Sequence, residues 1–184
     1  MIQLKKDPFL KWAVVITLCC SVFLGCNNFY EVSEGTLYRS RQLNANQFDK
    51  YIHQYGIKTV INLRGPSPQE NWYLEELSTM QKNGTLHLDF NLTATKYVSS
   101  EMIDSIIKTA TSAPKPILVH CKAGADRTGL FCAVWRYKID HQSFETASKQ
   151  LSFFYGHVPF IWSNTDEMDS SFNDYVSNQE TLTK

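Results

Sequence analysis

Cysteine is scarce where a folded domain would need it for cross-linking. The 184-residue chain has five, and Cys19, Cys20 and Cys26 all fall in the first 26 residues. That leaves Cys121 and Cys132, too few for a disulfide framework. An excess of charge of one sign is missing too. Lys plus Arg and Asp plus Glu both number 18, so the basic footprint of a nucleic-acid binder is absent. No internal repeat or low-complexity tract interrupts the chain. No cluster of His, Cys, Asp and Glu has metal-ligand spacing, so neither metal nor other cofactor is expected. What remains is ordinary globular material. A hydrophobic fraction of 43% supports a real core, and the length suits one domain with small extras.

The first 26 residues differ in kind. Lys5, Lys6 and Lys11 precede an apolar stretch from Trp12 to Gly25. The stretch is short of the ~20 residues a membrane span needs but suits the apolar part of an export signal. It ends Phe23-Leu24-Gly25-Cys26, which resembles a bacterial lipobox. Residues 1–26 are therefore expected to be a lipoprotein signal or membrane anchor, placing the domain at the periplasmic face of a bacterial envelope. The uncleaved anchor and a buried helix are the alternatives.

Beyond that segment, strands alternate with helices. Leu37 to Arg39 reads as a strand. A helix follows from Asn44 to about Gln54, stopped by Gly56. Lys58 to Leu63 is β-branched and reads as a strand. Glu70 to Lys82 reads as a helix, Thr85 to Asn91 as a strand and Glu101 to Thr111 as a helix. The buried strand Ile117 to His120 precedes helices over Arg127 to Ile139 and Ser143 to Phe153. The expected class is α/β, with a central, mostly parallel sheet of four to five strands flanked by helices. Residues 29–162 form the domain, and 163–184 a polar tail with one short helix, Asp166 to Tyr175.

The segment His120-Cys121-Lys122-Ala123-Gly124-Ala125-Asp126-Arg127-Thr128-Gly129 carries the chemistry. It lies between an apolar strand and an apolar helix. Backbone amides in such a loop converge on an anion, and the helix dipole adds positive potential. The same field favours a thiolate at Cys121, making it a nucleophile. Arg127 offers a planar fork for two phosphoryl oxygens. The amides of Lys122, Ala123, Gly124 and Ala125 and the hydroxyl of Thr128 complete the expected anion site. The bland alternative is a buried Cys beside a chance arginine.

These residues resemble the H-C-x-x-G-x-x-R-[ST] signature of the cysteine-dependent protein tyrosine phosphatases. Lys122 and Thr128-Gly129 bring the loop closest to the dual-specificity branch, and to its small exported bacterial members. Gly35-Thr36-Leu37-Tyr38-Arg39-Ser40 and Gly56 to Arg64 are similar to other segments of those domains. The resemblance covers Phe29 to about Phe160. It implies the dual-specificity phosphatase fold and a phosphocysteine intermediate. Phosphotyrosine proteins are then the expected substrate, and phosphoinositides or inositol phosphates the alternative. A non-catalytic phosphate-binding membrane module and a rhodanese or arsenate reductase are the rivals.

That family usually supplies an Asp as general acid some thirty residues before the cysteine. Asn91 to Ser100 holds no carboxylate. Asp126 inside the loop, Asp89 and Glu101 are the candidates. A structural role for Asp126, fixing Arg127 or the helix start, is the alternative. Arg64, after the second strand, is a candidate substrate contact. Trp72, Tyr73 and Cys132 are read as packing residues, His157 as a packing or hydrogen-bonded histidine, and His120 as orienting the loop through a backbone contact.

Overall fold

The computed structural model describes residues 27–159 and 165–182. The expected signal or anchor over 1–26 lies outside the described residues. Five strands form one sheet in the order β1-β2-β5-β3-β4. They are β1 (Tyr30–Ser33), β2 (Leu37–Ser40), β3 (Thr59–Asn62), β4 (Leu86–Asp89) and β5 (Ile117–His120). β1 pairs antiparallel with β2, and every other pairing is parallel. The helices are α1 (Ala45–Tyr55), α2 (Asn71–Asn83), α3 (Ser100–Ser112), α4 (Asp126–Lys138), α5 (Phe144–Ala147) and α6 (Asp166–Leu182).

The period-two alternation of β5 explains why helices cover both faces. Ile117 and Val119 join a cluster with Leu37, Ile61, Ile106, Leu130 and Phe172. Leu118 points the other way, into a cluster with Tyr38, Phe48, Val60 and Met80. Local chemistry sets the helix ends. Asn44 and Gln47 form a reciprocal capping box at α1, and Gly56 closes it in the left-handed region.

Three features depart from the sequence reading. β1 was not expected; of its four residues only Val32 is buried, so no alternation announces it. The helix expected over 143–153 stops after Ala147, followed by 3-10 turns at Ser148–Gln150 and Phe153–Tyr155. Tertiary contact is the reason. A Cβ on Gly129 would sit 2.9 Å from Gln150 O and 2.8 Å from Leu151 Cδ2, so this segment packs directly on α4. Gln150 also gives its backbone O (3.0 Å) and Oε1 (2.7 Å) to Arg39. The final helix continues past Tyr175 to Leu182. Met168, Phe172, Tyr175 and Val176 are buried along one of its faces, and Ser171 Oγ accepts from Val98 N at 2.9 Å.

Candidate active site

The registers Ser40↔His120 and Asn62↔His120 end three parallel strands at one level. The segment 121–125 leaves at that edge, where open α/β sheets hold ligands. Its carbonyls are tied down from outside. Lys122 O accepts from Gln42 N (3.2 Å). Asn28 Nδ2 donates to Ala123 O (3.0 Å) and Gly124 O (3.1 Å), and Arg39 Nη2 to Gly124 O (2.7 Å). With these carbonyls engaged outward, the amides of 122–127 find no protein acceptor among the described residues. A run of free amides at a helix start is an anion cradle. Gly124 makes the close approach possible. Its φ is +72°, and a Cβ there would meet Ser40 C and O and Arg41 N at 2.6 Å.

Cys121 is 1% exposed, at the base of this loop. Arg127 Nη1 donates to Leu92 O (3.2 Å) and more weakly to Leu63 O (3.5 Å). Arg127 Nε and Thr128 Oγ1 are buried with no protein partner. An unmatched buried donor costs ~1–3 kcal/mol, and a charge-assisted bond to an anion offsets that cost. A cleft of about 640 Å³ opens over the loop, lined in part by Lys122, Arg41, Arg64, Trp72, Phe154 and Tyr155. Among the described residues, no carboxylate lines it.

The sequence pattern of a family described as "DSP-PTPase phosphatase fused to NAD+ Kinase" matches residues 9–160. The chain belongs to this family. Over 27 residues it is also 63% identical to "Probable tyrosine phosphatase protein H4" of Microplitis demolitor bracovirus. That stretch spans 15% of each chain. Among solved structures, TpbA of P. aeruginosa is 22% identical, with a TM-score of 0.62 over 81% of this chain and 91% of that one. Tk-PTP is 17% identical, with a TM-score of 0.64 over 82% and 97%. The catalytic core of the PP-IP phosphatase SIW14 of S. cerevisiae is 19% identical, with a TM-score of 0.61 over 85% and 92%. At these identities the likeness is one of fold, and it is the dual-specificity phosphatase fold.

Within this DSP-type domain, Arg64 is brought to the loop. Its guanidinium lies 3.4 Å over the Trp72 ring and donates to Gln42 Oε1 at 2.7 Å. Burial and the neighbouring Arg127 charge lower its pKa, while Glu76 and Cys121 oppose the shift. Trp72, expected to be packing, is therefore a wall of the cleft that carries a cation. Tyr73 is buried as expected. Its hydroxyl donates to Asp89 Oδ2 at 2.5 Å, and burial with that bond pushes its pKa up to about 12. Asp89 also accepts from Asn62 Nδ2 (2.8 Å). Glu101 is exposed at the start of α3, where its own backbone amide and Ser99 lower its pKa.

His120 is held by a side chain rather than the expected backbone contact. Its Nε2 lies 2.9 Å from Glu76 Oε1. The same oxygen meets His87 Nε2 at 2.7 Å, and Glu76 Oε2 accepts from Gln42 Nε2 at 2.6 Å. Burial alone would raise the Glu76 pKa, but the His120 charge and the three hydrogen bonds outweigh it, to about 2. Asp126 accepts from His157 Nδ1 at 2.7 Å, and Asp169 of α6 from His157 Nε2 at 2.8 Å. Burial opposes protonation of His157, yet these carboxylates raise its pKa to about 9. Cys132 is fully buried and its pKa is pushed up to about 12 by that burial, the behaviour of a core residue.

Five supports were not singled out from the sequence as loop or cleft residues: Asn28, Arg39, Gln42, Trp72 and Glu76. Arg39 and Glu76 left signals, Arg39 as part of the Gly35–Ser40 segment similar to the phosphatase domains. Tyr73, Glu76, Thr79 and Met80 are the buried residues of α2, at the spacing of one helix face, so a carboxylate stood on a core stripe. Asn28, Gln42 and Trp72 act across the fold, and nothing near them in sequence marks it.

Proposed function

We propose that the chain hydrolyses phosphomonoesters through a phosphocysteine intermediate. In this reading the Cys121 thiolate attacks phosphorus, the ester oxygen departs, and water then cleaves the S–P bond to release phosphate. Arg127 and the amides of 122–127 hold the three equatorial oxygens, which is most of what a loose transition state asks of a protein. Thr128 Oγ1 serves the sulfur as it leaves. The observation that carries the reading is the run of unmatched donors, Arg127 Nε, Thr128 Oγ1 and the free amides, along the loop and helix start that follow Cys121. Asp126, already engaged by His157, is read as a positioning residue rather than the proton donor.

Phosphotyrosine proteins are the favoured substrates. The aromatic walls Trp72, Tyr155 and Phe154 suit an aryl ester, and TpbA has been crystallised in complex with pTyr. Inositol phosphates or phosphoinositides are the second reading, favoured by Arg41, Arg64 and Lys122 around one cleft. For location, we propose export and attachment to a membrane through residues 1–26. Among the described residues no helix is long and apolar enough to cross a membrane.

The test is phosphate release from an aryl phosphate, phosphotyrosine peptides and inositol phosphates. Cys121→Ser should abolish turnover yet still bind phosphate, and Arg127→Lys should be severely impaired. Substantial turnover by Cys121→Ser sinks the mechanism.

A further inference from the structure

Two large hydrophobic side chains stand in solvent beside the cleft: Phe153 is 74% exposed and Phe154 63%. Contiguous exposed apolar surface is a candidate interaction site. Their backbone is held firmly. The turn Phe153–Tyr155 is closed by Gly156 N donating to Phe153 O (2.9 Å) and His157 N to Ser152 O (3.1 Å). Tyr155 O accepts from Asn28 Nδ2 (2.9 Å), and the Tyr155 ring lies 3.7 Å under the Arg39 guanidinium. Phe154 leans on Tyr30, with ring centroids 5.3 Å apart. The turn thus projects from the same frame that holds the phosphate loop.

Asn28 ties the start of the chain to this place. It lines the cleft and bonds the loop and the turn together. The apolar stretch Trp12 to Gly25 ends three residues earlier in the sequence, a reach of roughly 10 Å at full extension. A membrane holding that stretch would lie within that reach of Asn28, which bonds the turn at Tyr155 O. Arg41 and Lys122, both exposed, flank the same opening and would face anionic headgroups.

We propose that the Phe153–Phe154 turn docks on a lipid bilayer, holding the mouth of the cleft at the membrane surface. This rests on the reading of residues 1–26 as a membrane segment. One apolar attachment leaves a domain free to tumble. A second, fixed contact point orients it. Substrates carried on the same membrane then meet the cleft directly.

The experiment uses the full chain on vesicles of phosphatidylethanolamine and phosphatidylglycerol. Two substrates are compared, a soluble aryl phosphate and the same aryl phosphate on a lipid tail in the vesicle. Phe153→Asp should cut turnover of the lipid-borne substrate roughly tenfold, the loss expected for one buried aromatic side chain. Turnover of the soluble substrate should not change. Phe153→Leu should keep most of the lipid-borne rate. Met102→Asp, at a residue 49% exposed on α3, should alter neither. Partitioning at limiting lipid reads docking without turnover, and Phe153→Asp should weaken it by a similar factor. Unchanged partitioning and lipid-borne turnover in Phe153→Asp overturn the proposal. Equal losses on both substrates overturn it as well, and point to cleft shape or a protein surface. A parent chain that partitions as expected but hydrolyses neither substrate rejects the phosphatase reading and leaves the docking standing.

Discussion

Glu76 and His120 meet at 2.9 Å with both side chains wholly buried. One sits on α2, the other at the end of β5 immediately before Cys121. The carboxylate also holds Gln42, which in turn holds Arg64. The base of the 121–125 loop and the Arg64 cation of the cleft therefore share one support.

Removing that support should hurt stability and chemistry together. Glu76→Ala strands two imidazoles and an amide, and losing one partner of a buried pair costs about 3–5 kcal/mol. Glu76→Gln keeps the shape but puts a donor where three donors already converge. About 1–3 kcal/mol is expected, with kcat falling more than KM rises. Urea unfolding and steady-state kinetics check both, and wild-type values for Glu76→Gln would exclude the role.

His157 predicts a pH window. Its pKa rises from the ordinary 6.5 to about 9 on folding, so the folded state binds the proton more tightly. The stabilisation is complete below 6.5 and is lost as pH rises through about 9. The thermal midpoint should therefore fall across that interval, and His157→Gln should flatten the fall. Parallel pH curves for the two proteins would contradict the pairing.

Gly124 should not tolerate a side chain. A Cβ there meets backbone atoms at 2.6 Å, at a φ of +72°, and neither neighbour is a flexible tip. Gly124→Ala should cost about 1–3 kcal/mol of strain. A loop displaced by about 1 Å loses on the order of 10²-fold in kcat/KM. The readout is aryl phosphate hydrolysis beside a melting curve.

Asp126 is the candidate whose role the leaving group can decide. If it positions His157 and the helix start, Asp126→Asn slows aryl and alkyl phosphates by the same factor. A general acid contributes about 10²–10⁴-fold, mostly where the leaving group is poor. Comparing the two losses in kcat/KM settles the matter, and a much steeper loss for the alkyl ester would restore Asp126 as acid.

Much of this molecule was legible in one dimension. Ile117-Leu118-Val119, bounded by Pro116 and the loop, reads as a strand buried on both faces, and the spacing from Cys121 to Arg127 needs no distant residue to be read. Strand, loop and helix there are local, set by alternation, glycine and the run of apolar residues after Thr128. The same holds for α1, whose capping box lies within four residues. Tertiary structure decided what local propensity does not encode. Helical periodicity continues through 143–153, yet close packing against Gly129 and the demand of buried Arg39 for Gln150 break the helix. His157 reads in sequence as a packing or hydrogen-bonded residue, and its partners appear only because α4 and α6 bring carboxylates to both sides of its ring. Arg39, Gln42 and Glu76 lie 85, 80 and 44 residues from their contacts Gly124, Lys122 and His120. Distance along the chain carries no trace of such contacts. They exist because a parallel sheet ends its strands at one edge, where burial in low dielectric leaves each polar group to find its partner in the fold.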